Sequence, residues 1–165
     1  MSEAADPLSS STLDRDVHAD TQATWQRLLE RIPYARHLGL AIQHSGTRVQ
    51  VHLPYRDALI GNIMLPAVHG GAIGGLIEIT ARIAAQSRDA QARRPRIFDC
   101  NVDYLRSARA RSTYAAAEIV RQGRRTTLVH VSCWQERAST PVAHGRVQLL
   151  FESAPGVKPG KTNGT

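Results

Sequence analysis

Residues 70–87 constrain the fold more than any other part of the chain. The run is apolar almost throughout and is broken only by Glu78, Thr80 and Arg82 before Gln86 and Ser87. It lacks the two-residue alternation of a half-buried strand, so it reads as one long apolar helix. It also carries Gly70, Gly71, Gly74 and Gly75. Each glycine costs about 1 kcal/mol against alanine in a helix interior. Close packing of the glycine face against another backbone is the expected compensation. A helix apolar over most of its circumference must be covered on most sides, so the rest of the chain has to supply a sheet to wrap it.

The flanking patterns supply that sheet. Before the helix, 41–44 and 48–53 read as short strands. In the second, Val49, Val51 and Leu53 alternate with Arg48, Gln50 and His52, and Gly46 provides the turn between the two. Residues 54–68, with Gly61 and Pro66, read as a loop. After the helix come four strand-like runs, at 97–105, 113–121, 126–136 and 141–151. The first sets Phe98, Cys100, Val102 and Tyr104 against Asp99, Asn101 and Asp103. An earlier helix, capped by Asp20 or Thr21, brings Trp25, Leu28, Leu29 and Ile32 to one face and ends at Pro33. The expected class is α+β, an antiparallel sheet wrapped around one long central helix. Its domain is expected over 19–153, with an unstructured lead at 1–18 and an unstructured tail at 154–165.

Composition narrows the functional classes. The chain has 165 residues, enough for one domain with a real core. Cys100 and Cys133 lie in apolar strand-like runs and read as small core hydrophobes, with a disulfide between them left open. No apolar run reaches the roughly 20 residues of a membrane span. The acidic N-terminal residues lack the apolar core of a signal peptide, so a cytoplasmic location is expected. The formal net charge is +7, which favours polyanionic partners: a phosphorylated small molecule or nucleic acid. Aromatic residues are only 5% of the chain, too few for a base-stacking platform, so nucleic-acid binding is not expected. The seven histidines (His18, His37, His44, His52, His69, His130 and His144) are scattered without metal-ligand spacing. No metal and no cofactor is therefore expected.

The residues with chemical character cluster at the start of the long helix. A helix N-terminus presents unpaired N–H groups and partial positive charge. Gly70 and Gly71 leave that end bare, so a carbonyl oxygen can approach where negative charge develops. Glu78 follows Gly71 by seven residues, about 700° of rotation, which puts both on one stripe with Gly74, Gly75 and Arg82. Their axial separation is roughly 10 Å, too far for both to reach one carbonyl carbon. A two-fold dimer with antiparallel helices would set Glu78 opposite the Gly71 of its partner. Taken singly, Glu78 also fits a plain ion pair with Arg82 at i+4, and His69 fits a simple cap.

The run from His69 to Ala81 resembles the signature of the hotdog-fold acyl-CoA thioesterases of the PaaI type. The similarity extends over about 33–152. It includes Pro33 to Gly39, Gly61-Asn62, and Asn101 to Arg106. The resemblance implies a hotdog fold, joined edge to edge as a homodimer or a homotetramer, that hydrolyses acyl-CoA. On that pattern the Gly71 N–H polarises the thioester carbonyl, and Glu78 of the neighbouring subunit is nucleophile or general base. His69 orients the thioester or the water, with Gly70 beside it. Arg106, Arg109, Arg111, Arg124 and Arg125 are implied partners for the CoA phosphates. The chain departs from the pattern at two positions. Ile63 stands where relatives carry Asn or Gln, with Asn62 one step earlier as the substitute, and Arg82 stands where some carry Ser or Thr. These departures motivate an alternative, a non-catalytic acyl-CoA binding or regulatory domain. A hydratase acting on enoyl thioesters fits the motif less well.

Overall fold

The long helix organises everything around it. In the computed structural model, which describes residues 9–45, 48–62 and 64–152, α3 spans Gly70–Ser87. It buries Ala72, Ile73, Leu76, Ile77, Ile79, Thr80, Ala81, Ile83, Ala84 and Ala85. Gly71 and Glu78 are exposed, and Gly70, Gly74, Gly75 and Arg82 are half-buried. The stripe predicted from 100° per residue is therefore the less buried side of the helix.

Six antiparallel strands wrap the buried side in the order β1-β2-β6-β7-β8-β5. They are β1 (Ala41–Ser45), β2 (Arg48–Leu53), β5 (Arg96–Tyr104), β6 (Thr113–Gln122), β7 (Thr126–Trp134) and β8 (Ala143–Leu150). Alternate residues of β7 and β8 point at α3: Val129, Val131 and Cys133, and Ala143, Gly145, Val147 and Leu149, all buried. Gly145 lies directly beneath the Ile77 side chain. This is the predicted hotdog arrangement, an antiparallel sheet around one long central helix. Both cysteines are free, with Cys133 buried and Cys100 half-buried.

The N-terminal helix is longer than its capping residues suggested. α1 spans Ser9–Glu30, so residues 9–18 of the expected unstructured lead are helical. No Gly or Pro interrupts 9–30. Once the Trp25–Ile32 end is anchored, each further residue adds a hydrogen bond at little cost. Trp25, Leu29 and Ile32 are buried, and Trp25 Nε1 donates to Ser87 Oγ at 3.0 Å, tying α1 to the end of α3. Residues 1–8, Gly46 and the expected tail at 154–165 lie outside the described residues.

Three further details differ from the sequence reading. Pro33 ends α1 but also opens a short helix, α2 (Pro33–Leu38), where a missing N–H costs nothing. Gly39 closes it with φ 69°, a left-handed cap that suits glycine. The expected loop at 54–68 contains a 3-10 turn at Asp57–Leu59 and a small two-stranded sheet, β3 (Ile60–Asn62) with β4 (Ala67–Val68). Finally, Phe98 does not face the core. A bulge between Ile97 and Asp99 leaves Phe98 unpaired, so it is 74% exposed, and Ile97 takes the inward place instead.

Candidate active site

His69 is the hinge between β4 and α3, and its position is closely fixed. Its backbone N–H donates to the Leu59 carbonyl at 2.7 Å. Its own carbonyl accepts from Ala72 at 2.9 Å and from Ile73 at 3.3 Å. Gly61 of β3 lies against it: a Cβ there would stand 2.8 Å from His69 Cα. The side chain caps the helix, with His69 Nδ1 accepting from the Gly71 N–H at 2.9 Å. An accepting Nδ1 leaves the proton of the neutral ring on Nε2. The donor expected to meet a carbonyl is thus held by imidazole in the single chain.

The same peptide group is held from its other end. Tyr104, the last residue of β5, donates its phenol O–H to the Gly70 carbonyl at 2.8 Å. The glycine stripe makes room for it. A Cβ on Gly70 would lie 3.4 Å from Tyr104 Cε1, Cζ and Oη, and one on Gly74 would lie 3.6 Å from Tyr104 Oη. On Gly75 a Cβ would stand 2.6 Å from Tyr34 Cε1. Within the chain, the helical glycines lie against two aromatic rings.

Glu78 is exposed, and among the described residues it has no hydrogen bond or ion pair. The i+4 pair with Arg82 does not form; Arg82 Nε is shut off from solvent and has no hydrogen-bond partner among the described residues. The Glu78 carboxylate does act on Cys100 of β5. Burial raises that thiol's pKa, and the charge of Glu78, then that of Asp99, raises it further. Gly71 and Glu78 stay two helical turns apart, so one chain does not bring them to a common point.

The remaining expected residues divide. Asn62 Oδ1 accepts from the N–H groups of Met64 at 2.9 Å and Leu65 at 3.3 Å, which commits it to the turn after β3. Ile63 lies outside the described residues. Arg106 and Arg109 sit on the loop beside the start of α3, where Val68 N–H meets the Ala108 carbonyl at 2.8 Å. Arg111 is ion-paired with Glu136. Arg124 and Arg125 occupy the β6–β7 turn, separated from Arg111 by the length of β6, about 30 Å at 3.3 Å per residue. The five arginines are not one cluster within a chain. The sequence pattern of β5 does not single out Tyr104 as a site residue, although it lies within the Asn101 to Arg106 run that carries part of the resemblance. A cleft of about 410 Å³ opens beside it, lined by Gly70, Ile73, Tyr104, Arg106, Ala108 and Val142 among others.

No group of three or more His, Cys, Asp or Glu residues is placed to hold a metal among the described residues. No described helix is long and apolar enough to cross a membrane.

Comparison with known proteins agrees with this architecture. The model of the thioesterase superfamily matches residues 65–141, a span that holds His69, Gly71, Glu78 and Tyr104. No curated protein matches the chain. Among solved structures, a protein from Chromobacterium violaceum is 28% identical, with a TM-score of 0.64, covering 86% of this chain and 97% of its own. A protein from Pseudomonas aeruginosa is 25% identical, with a TM-score of 0.70, covering 80% and 99%. The E. coli PaaI protein from the phenylacetic acid degradation operon has a TM-score of 0.70 at 19% identity, covering 82% and 96%, a likeness of fold.

Proposed function

We propose that this chain, which has the hotdog fold and matches the model of the thioesterase superfamily over residues 65–141, hydrolyses an acyl-CoA thioester to the free acid and CoA. The observation that carries this reading is the exposure of Gly71 and Glu78 on one face of α3. Gly71 offers its N–H at the helix start, and the Glu78 carboxylate is exposed and, among the described residues, unpaired. A carboxylate without a cation on it keeps its electron pairs for an incoming group.

The proposed unit is a homodimer or a tetramer of such dimers, with Glu78 of one subunit facing Gly71 of the other. The thioester oxygen takes the Gly71 N–H from His69 Nδ1. The imidazole released from that bond is then free to hold the attacking water. Glu78 acts in one of two ways. As a base it takes a proton from water while the oxygen attacks the carbonyl carbon. As a nucleophile it forms a mixed anhydride that water then opens. In both routes the C–S bond breaks and the CoA sulfur leaves as a thiolate that takes up a proton. Arg106 and Arg109, beside the helix start, would serve CoA phosphates from their own chain, and Arg124 and Arg125 only from the partner.

A thiol-release panel across short, medium, long and aromatic acyl-CoAs tests the reading. Glu78→Gln is expected to abolish release while the protein stays folded, and full activity in that variant would sink the assignment. The capped Gly71 N–H favours a second reading, an acyl-CoA binding domain without turnover. Calorimetric binding with no thiol release would select it.

A further inference from the structure

We propose that Tyr104 is a positioning residue for the carbonyl-binding donor, acting through the peptide group between Gly70 and Gly71. The inference rests on the thioesterase reading above for its kinetic part and on hydrogen-bond geometry alone for its structural part.

The Gly70 carbonyl and the Gly71 N–H are the two ends of one planar amide. Tyr104 O–H donates to the oxygen at 2.8 Å, and the N–H donates to His69 Nδ1 at 2.9 Å. Phenol, amide and imidazole thus form a chain in which each bond polarises the next. A donor on the oxygen draws electron density out of the amide and leaves its N–H a better donor. The two bonds also fix the plane of the amide, and so the direction in which the N–H points. That direction matters because a donor to a developing oxyanion works only when it is aimed in advance.

The sequence around the contact suits this purpose. Tyr104 packs on the helix backbone at residues 70 and 74, where a Cβ would lie 3.4 Å and 3.6 Å from it. Its partner across the sheet is the buried Ala143 of β8, which holds the end of β5 in register. Burial raises the phenol's pKa, with smaller contributions from Cys100 and Cys133, so the group remains an O–H donor through the neutral range. A tyrosine needed only for packing would have no use for that hydroxyl.

Tyr104→Phe keeps the ring over the glycines and removes the donor. Two readouts follow. In the substrate-free protein, the Gly71 amide proton is expected to move upfield in the NMR spectrum, while the amides of Ala72 and Gly74 stay in place. In the thiol-release assay, kcat is expected to fall about tenfold with KM changed far less, a smaller loss than the 10²–10³ for a direct oxyanion donor. An unmoved Gly71 amide, or an unchanged kcat in an active enzyme, would overturn the proposal. The two readings can fail separately. A wild-type protein that releases no thiol from any acyl-CoA rejects the hydrolytic reading, and the Gly71 amide then decides on Tyr104 by itself.

Discussion

Gly61 and His69 are in contact through backbone: a Cβ on Gly61 would stand 2.8 Å from His69 Cα and 2.9 Å from His69 Cδ2. The 2.7 Å bond from His69 N–H to the Leu59 carbonyl holds the two segments at that separation. Neither neighbour is the loose end of a side chain, so an added methyl must push β3 away from the start of α3. Gly61→Ala is expected to destabilise the fold by about 1–3 kcal/mol, the usual range for overpacking. It should also lower thiol release by more than the unfolded fraction explains. Denaturant midpoints and kcat on the same preparation check both.

Glu78 and Cys100 make the charge of the candidate carboxylate measurable without substrate. The Cys100 thiol is held up first by burial and then by the Glu78 charge. Glu78→Gln removes that second influence, so Cys100 is expected to ionise at lower pH and react faster with a thiol reagent. Cys133, pushed up to about 12 by burial, should react only after unfolding in both proteins. Equal Cys100 rates in the two proteins would show that Glu78 carries no charge felt at β5.

Gly145 is the point where sheet and helix come closest. A methyl there would collide with Ile77 Cγ2, and both residues are buried in the core. Gly145→Ala is expected to cost about 1–3 kcal/mol in a urea titration. Ile77→Ala removes the colliding Cγ2, so Gly145→Ala should cost less in that background than in the wild type. Strict additivity of the two changes would mean that the contact is not the cause.

Asp89 and Arg93 pin the exit of α3. Their side chains meet at 2.7 Å, Arg93 Nη2 donates to the Arg124 carbonyl at 3.1 Å, and the guanidinium lies 4.9 Å from the Phe151 ring centroid. The side-chain hydrogen bond from Arg93 lowers the Asp89 pKa in the folded chain, against an opposing effect of burial. A carboxylate whose folded pKa lies below its unfolded one contributes stability that is full above the unfolded value. That contribution is lost as pH falls through the folded value. An unperturbed aspartate titrates at about 3.9, so the stability gap between wild type and Asp89→Asn should be constant near neutrality. It should close as the solution is acidified below about pH 4. A gap that persists unchanged in acid would rule out the ion pair as its source.

The central helix was legible because its pattern has no rival: an apolar run with neither alternation nor a proline can be wrapped in only one way. The meander β6–β7–β8 was legible through its turns. Phe98 was misread because a bulge shifts the alternation by one, and a bulge depends on the partner strand. β3 and β4 are too short to show a period, and β4 also bonds outside the pair, Val68 N–H to the Ala108 carbonyl. The i+4 spacing of Glu78 and Arg82 permits an ion pair but does not force one, since such a pair is worth only about 0.2–0.5 kcal/mol. The His69 cap was open to reading, as a ring nitrogen two residues before an orphan N–H. The separation of the arginines was also readable in principle, because Arg111 and Arg124 flank one strand. What the chain order could not reveal is that Tyr104 and the Gly70 carbonyl meet.

The pairing of Leu53 with Thr113 joins β2 to β6, and His69, Glu78 and Tyr104 all lie in the excursion between those two residues. The β1–β2 hairpin and the β6–β7–β8 meander each need only local loops to form. Closing the excursion costs roughly 3–4 kcal/mol of chain entropy before its contacts repay it. The order of events in folding follows from this. Most of the sheet can assemble while the excursion is still searching, and the Tyr104 to Gly70 contact closes only when β5 docks on β8. Recovery of thiol release after dilution from denaturant should therefore lag behind recovery of the strand signal, making turnover the last property the chain acquires.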